Sequence, residues 1–238
     1  MSRRLAVFAS GSGTNLQSLI DRLNGRRNTP AEVVLVVSDR EQAKALARAV
    51  DAGIPGRVLP VRGRAPQDVA AETLDLLDEL DIDLIALAGY LRLVPAPVIV
   101  RFTGRIVNIH PALLPAFGGP GMYGMRVHQA VLEAGCSVTG VTVHHVTERY
   151  DEGRPIAQWP VPVLYVDDPH SLAERVLRVE HVLYPLAIEK LARDLAERPG
   201  SSAASRPVAA APMFGWTTDH AKLELLIRNA LNMEDLDL

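Results

Sequence analysis

Cysteine is all but missing from this chain. Cys136 is the only one among 238 residues, which excludes an intrachain disulfide framework and suits a reducing cytosol. It follows Gly135 in an apparent turn, a poor setting for a nucleophile. A strong charge of either sign is also lacking. The net charge is −3, so no global basic field draws the chain to nucleic acid or an anionic membrane. The arginines are scattered along the sequence rather than gathered into a patch that a tRNA would need. Long apolar runs are missing as well. None approaches a membrane span, and residues 5–9 are too few for the apolar region of a signal peptide and lead straight into a glycine loop. No internal repeat is visible. No chelating pair stands out either. His144 and His145 are adjacent on an extended segment and face opposite sides, so a metal site is not expected. These absences point to a cytoplasmic setting, with neither nucleic acid nor a membrane expected as a partner.

The composition that remains, 48% hydrophobic and 22% charged, is that of a soluble globular protein able to bury a sizeable core. The length fits one large domain, or one domain with an appendage. The chain is organised around residues 105–117. Apolar positions from Ile106 to Ile109 read as a buried strand, which Pro111 stops. Asn108 and His110 are two apart, so on a strand they project from one face. That pair is either an amide and an imidazole sharing a cleft at a strand end, where ligands bind open α/β sheets, or a hydrogen-bonded histidine capping the strand.

An earlier strand over 5–9 gives way to Ser10-Gly11-Ser12-Gly13-Thr14-Asn15 and then to Leu16, Leu19, Ile20 and Leu23 at helical spacing. Strand, glycine loop and helix present backbone N–H groups to an anion. Leu16 stands where the third glycine of a dinucleotide fingerprint belongs. A single phosphate is therefore expected, or a tight turn without ligand. Residues 33–37 form a second strand ending at Asp39, which is either a ribose ligand or, the reading preferred, the N-cap of a helix with Ala43, Leu46, Ala47 and Val50 inward. Strands follow at 58–61, 83–88 and 105–109, with a helix from Pro66 between the first two. This repeated βα pattern predicts an α/β fold: a doubly wound, mostly parallel sheet with helices on both faces, Rossmann-like in arrangement.

After His110 comes a proline- and glycine-rich loop, 111–124, of the kind that walls a site. A helix over 127–134, extended strands over 138–146 and 156–163, and the polar loop from Glu148 to Gly153 follow. Ser171-x-x-Glu174 reads as a capping box opening a long helix that Pro185 should kink. Residues 199–212 read as a flexible linker and 217–232 as a terminal amphipathic helix. The expected division is a catalytic domain over 1–197 and a linker with a helical tail over 198–238.

Gly11-Ser12-Gly13-Thr14-Asn15-Leu16-Gln17, Ala88-Gly89-Tyr90-Leu91-Arg92-Leu93, Asn108-Ile109-His110-Pro111 with Leu113-Leu114-Pro115, and Val143-His144 leading to Asp151-Glu152-Gly153 together resemble the phosphoribosylglycinamide formyltransferase family. The likeness runs from about residue 5 to about 191. It implies transfer of a formyl group from 10-formyltetrahydrofolate, a co-substrate, to the amine of glycinamide ribonucleotide in purine synthesis, without a metal. It implies Asn108, His110 and Asp151 as catalytic residues and Gly13, Thr14 and Asn15 as the phosphate loop. Glu180 would meet the glycinamide end, and Leu91, Arg92, Leu93 and Val94, with Asn108, the folate. Where the family usually has a folate-contacting arginine, this chain has Pro66, and Arg64 is the expected substitute. A homodimer is compatible with the resemblance.

In that chemistry Asn108 and a protonated His110 stabilise an oxyanion, and His110 moves the proton. Asp151 is expected to raise the imidazole pKa. Alternatives are a formyltetrahydrofolate hydrolase, expected to carry an extra N-terminal regulatory domain, and a nucleotide-binding module without catalysis. A methionyl-tRNA formyltransferase is expected to carry a larger, basic C-terminal domain than residues 199–238 supply.

Overall fold

A computed structural model describes residues 2–197, 225 and 227–229. Seven strands form one sheet in the order β3-β2-β1-β4-β5-β6-β7. They are β1 (Arg3–Phe8), β2 (Ala31–Ser38), β3 (Gly56–Val58), β4 (Leu84–Leu87), β5 (Ile106–His110), β6 (Val138–His145) and β7 (Pro155–Pro162). The first five run parallel, and β6 and β7 add to the β5 side as antiparallel strands. The doubly wound, mostly parallel sheet read from the sequence is the fold observed.

Strand β1 shows why the sequence folds this way. Leu5, Val7 and Ala9 enter one core cluster while Ala6 and Phe8 enter the other, so both faces are covered and the strand is apolar throughout. One face is packed by α1 (Thr14–Leu23), α2 (Lys44–Asp51), α5 (Met125–Glu133) and α6 (Pro169–Glu197). Helices α3 (Pro66–Glu79) and α4 (Ala96–Arg101) cover the other. The chain winds outward from β1 to β3, then returns to β4 on the opposite side of β1. The switch point thus lies between the carboxyl ends of β1 and β4. Across it Ser10 N–H donates to Gly89 O (3.1 Å), and Leu91 N–H to Ser10 Oγ (3.0 Å).

Several local expectations differ from the structure. Strand β3 lies at Gly56–Val58 rather than 58–61 and pairs with Val36, Val37 and Ser38. Helix α2 buries Ala45 and Ala49 and leaves Val50 74% exposed, because its N-cap is Ala43. Asp39 is not the cap; its carboxylate is ion-paired to Arg92. The capping box also fails. Asp168 Oδ1 accepts from the N–H groups of His170 and Ser171, which makes Asp168 the cap, with Pro169 at the first helical position. Helix α6 holds Pro185 inside its span, where the sequence reading has it. Helix α4 was not anticipated.

The linker expected over 199–212 lies outside the described residues. Of the helix expected over 217–232, Leu225 and 227–229 are described and helical, and Ile227 is buried in the core cluster that holds α1 and α6. Among the described residues no helix is long and apolar enough to cross a membrane.

Candidate active site

A cavity of about 400 Å³ opens where β4, β5 and β6 end. One wall is the segment after β4, with Leu91, Arg92, Leu93 and Val94. The facing wall is the glycine-rich loop at 119–124, and Asn108, His110, His144 and Asp151 form the polar end. Leu91 and Leu93 are 36% and 46% exposed, an apolar surface left open toward the cavity. Arg92 is held from behind by the fully covered Asp39, Nε to Oδ2 at 2.8 Å.

The polar end is built by pairing. Asn108 on β5 and His144 on β6 are direct partners in the antiparallel ladder. His144 Nδ1 lies 2.9 Å from His145 O. A carbonyl only accepts, so Nδ1 carries the proton and Nε2 of the neutral ring is an acceptor. Asn108 Nδ2 lies 3.1 Å from that Nε2 and donates to it. This fixes the amide's orientation and leaves its second N–H free for a ligand. His110 Nε2 lies 2.8 Å from Phe117 O, so by the same reasoning Nε2 is protonated and Nδ1 is the basic atom.

Asp151 joins the two rings. Its Oδ2 is 3.7 Å from His110 Nδ1 and its Oδ1 is 3.6 Å from His144 Nε2, too long for full hydrogen bonds and ion pairs only when a ring is protonated. Oδ2 also accepts from Gly119 N–H at 2.9 Å. The Asp151 backbone is left-handed, φ 57, a conformation aspartate tolerates better than most residues. Gly153 follows in the same turn; any side chain there would collide with the His145 carbonyl.

The charge states follow from burial. Desolvation is the largest influence on His110 and lowers its pKa below the usual 6.5, outweighing the upward pull of Asp151 and the Phe117 carbonyl. The expected net rise is therefore corrected: the resting imidazole is neutral at neutral pH. Burial pushes Asp151 up, but the His144 ring, the His110 charge and the Gly119 N–H together hold it below the usual carboxylate range. It is an anion.

The remaining expected residues divide. Gly13, at φ 70, is the N-cap of α1, and a Cβ there would sit 2.8 Å from Ala45 Cα. No side chain caps α1, so the first-turn N–H groups at Thr14 and Asn15 have no capping acceptor. Asn15 turns its amide to Glu180, Nδ2 to Oε2 at 2.6 Å. Arg64 is not brought to the cavity: its guanidinium pairs with Glu72 at 2.6 Å. In the sequence His144 stands out only within the Val143-His144 match, with no role attached. Its link to Asn108 depends on the β5–β6 register, which no local pattern reveals. Among the described residues no group of three or more His, Cys, Asp or Glu side chains is placed to hold a metal.

Fold and site define a Rossmann-like α/β protein with an amide–imidazole–carboxylate cluster at its strand ends, beside an uncapped glycine loop. Comparison with known proteins narrows this. A model of the family described as formyl transferase matches residues 3–188, and the chain belongs to that family. It is 44% identical over 184 residues to a chloroplastic phosphoribosylglycinamide formyltransferase of Arabidopsis thaliana, covering 76% of this chain and 63% of that one. The chain thus spans less than two thirds of that plant relative's length. With the phosphoribosylglycinamide formyltransferase of Bacillus subtilis it shares 36% identity over 192 residues, 79% of this chain and 94% of the other. The crystal structure of phosphoribosylglycinamide formyltransferase from Brucella melitensis matches with a TM-score of 0.74 at 44% identity, over 81% of this chain and 96% of that one.

Proposed function

We propose that the protein transfers the formyl group of 10-formyltetrahydrofolate to the primary amine of glycinamide ribonucleotide, a step of purine synthesis. The observation that carries this reading is the convergence of a free Asn108 N–H, a neutral His110 and an anionic Asp151 on a cavity with one apolar wall. The relatives named for this reaction support it. Residues 1–197 are the catalytic unit in this reading, with 198–238 an appendage, and the lone Cys136 supports a cytoplasmic setting.

The amine nitrogen attacks the formyl carbon, and the carbonyl electrons move onto oxygen. The Asn108 N–H not used by His144 meets that oxyanion. His110 Nδ1 takes the proton released by the amine, becoming an imidazolium that Asp151 stabilises. The tetrahedral carbon then expels N10 of the folate, which receives the proton from His110. Leu91, Leu93 and Val94 cover the pteridine, and Arg92 frames it. The phosphate rests on the first-turn N–H groups of Gly13, Thr14 and Asn15, with Glu180 toward the glycinamide end. Arg64 has no part in this proposal, since Glu72 occupies it.

The test is purified protein with 10-formyltetrahydrofolate, with and without glycinamide ribonucleotide. Formylated product that requires the ribonucleotide is the expected result. Equal loss of the formyl group without it identifies a hydrolase, and no turnover in either leaves a nucleotide-binding module.

A further inference from the structure

The phosphate loop and the residue expected at the other end of the ribonucleotide are joined by a side chain. Asn15 stands in the first turn of α1, and Glu180 projects from the middle of α6. The Asn15 Nδ2 donates to Glu180 Oε2 at 2.6 Å, at the short end for such a bond and typical of an ionised acceptor. Both atoms lie inside the protein: Glu180 is 7% exposed, and Asn15 Oδ1 is buried with no hydrogen-bond partner among the described residues. Helix α6 is fixed one turn further on, where the Tyr184 hydroxyl donates to Leu87 O at 2.9 Å and lies 3.2 Å from Val107 O. Tyr184 and Glu180 are four apart and share a face, so the carboxyl is set against the same strand ends that carry the site.

We infer that Asn15 acts through its side chain as a positioning residue for Glu180, while its backbone N–H serves the phosphate. Contact with the phosphate is thereby tied to the orientation and charge of the carboxylate that receives the glycinamide end. This rests on the assignment of glycinamide ribonucleotide as substrate. A side chain spent on phosphate would point out from the loop; this one points inward, and its amide hydrogens can only serve an acceptor such as Glu180. Two influences act on that carboxyl: burial pushes it up and the Asn15 N–H pulls it down, leaving it at about 7. Tyr184, on the same helix face, is the other titratable group that feels it, its own hydroxyl driven far upward by burial and by Glu180.

Two measurements test this in the full chain. The first needs no substrate: carbon-detected NMR titration of the Glu180 carboxyl in the wild type and in Asn15→Ala and Asn15→Ser. Loss of a hydrogen bond to a charged group should move the Glu180 midpoint upward by about one pH unit. An unmoved midpoint in folded variants overturns the inference. The second is steady-state kinetics. KM for the ribonucleotide should rise roughly tenfold at pH 7, KM for the folate should stay put, and the ascending limb of kcat/KM near pH 7 should shift to higher pH. In a Glu180→Gln background, Asn15→Ala should leave that limb absent and add little further loss. Parallel losses in kcat and both KM values, with no shift in the limb, would mark a merely structural residue. A wild type inactive toward the ribonucleotide defeats the substrate assignment, whereas the NMR titration judges the Asn15–Glu180 link separately.

Discussion

Asn108 and His144 face each other across β5 and β6, and the histidine is what aims the asparagine. The Nε2 lone pair of His144 holds one amide N–H at 3.1 Å, and the His145 carbonyl holds the histidine. Orientation of the proposed oxyanion donor is thus passed back through one ring to the β6 backbone.

Removing the donor should therefore be severe and removing its support less so. Asn108→Ala should lower kcat roughly 10²–10³-fold with little change in either KM. His144→Ala should lower it less, since the amide remains but can rotate. Equal losses in the two variants, measured on protein with unchanged circular dichroism, would show that His144 does more than aim.

Proton transfer sets the acid side of the pH profile. Burial holds the His110 pKa below 6.5, and the neutral ring is the working form in the proposed reaction. The His110-dependent part of kcat/KM should thus fall only as pH drops below 6.5. Asp151→Asn removes the anion that favours imidazolium, so the His110 midpoint should move lower still while kcat drops. A midpoint that rises in Asp151→Asn contradicts this account.

The apolar wall depends on a pair outside it. Asp39 is fully covered and holds Arg92 at 2.8 Å. Asp39→Ala should raise the KM for the folate several-fold and leave that for the ribonucleotide near its wild-type value. The loss of one charge-assisted bond, on the order of 1–2 kcal/mol, sets that scale. A rise confined to the ribonucleotide would show that Asp39 serves the neighbouring glycine-loop groove instead.

Acid should loosen the fold before it silences Asp151. Burial lowers the pKa of His128 and His145 to about 4 each, so the unfolded chain binds protons below 6.5 that the folded one refuses. Stability is full above about pH 6.5 and is lost as pH falls toward 4, by up to about 3 kcal/mol per histidine. Thermal melts from pH 7 to 4.5 should show this decline, and His145→Gln should flatten it. A melting temperature level across that range would count against both buried rings.

How much of this was legible in the sequence depended on the range of the interaction. The apolar runs of β1, β2 and β5 are local properties, and they announce the parallel sheet. Asn108 and His110 were legible because strand periodicity puts them on one face. Helix α2 was misread because alanines carry its buried face, and Asp39 because its partner Arg92 lies 53 residues away. The capping box misleads because the helix opens earlier: Asp168 takes the N–H groups of His170 and Ser171, and the Ser171 hydroxyl donates to Asp167. Arg64 was expected at the folate, and only the fold reveals that Glu72 has claimed it. In each case the missing information was a partner distant in sequence or a choice between neighbouring acceptors.

The loop over the cavity is fastened at two points, and both fastenings are residues of the proposed chemistry. Phe117 O holds the protonated nitrogen of His110, and Gly119 N–H holds Asp151. Wall and chemistry therefore share their bonds. A compound wedged behind Phe117 would take the proton partner from His110, free its ring to flip tautomer and slacken Asp151, all without occupying either substrate's place. Such an inhibitor would lower kcat at saturating concentrations of both substrates, a vulnerability that lies in the hinge of the enclosure rather than in its contents.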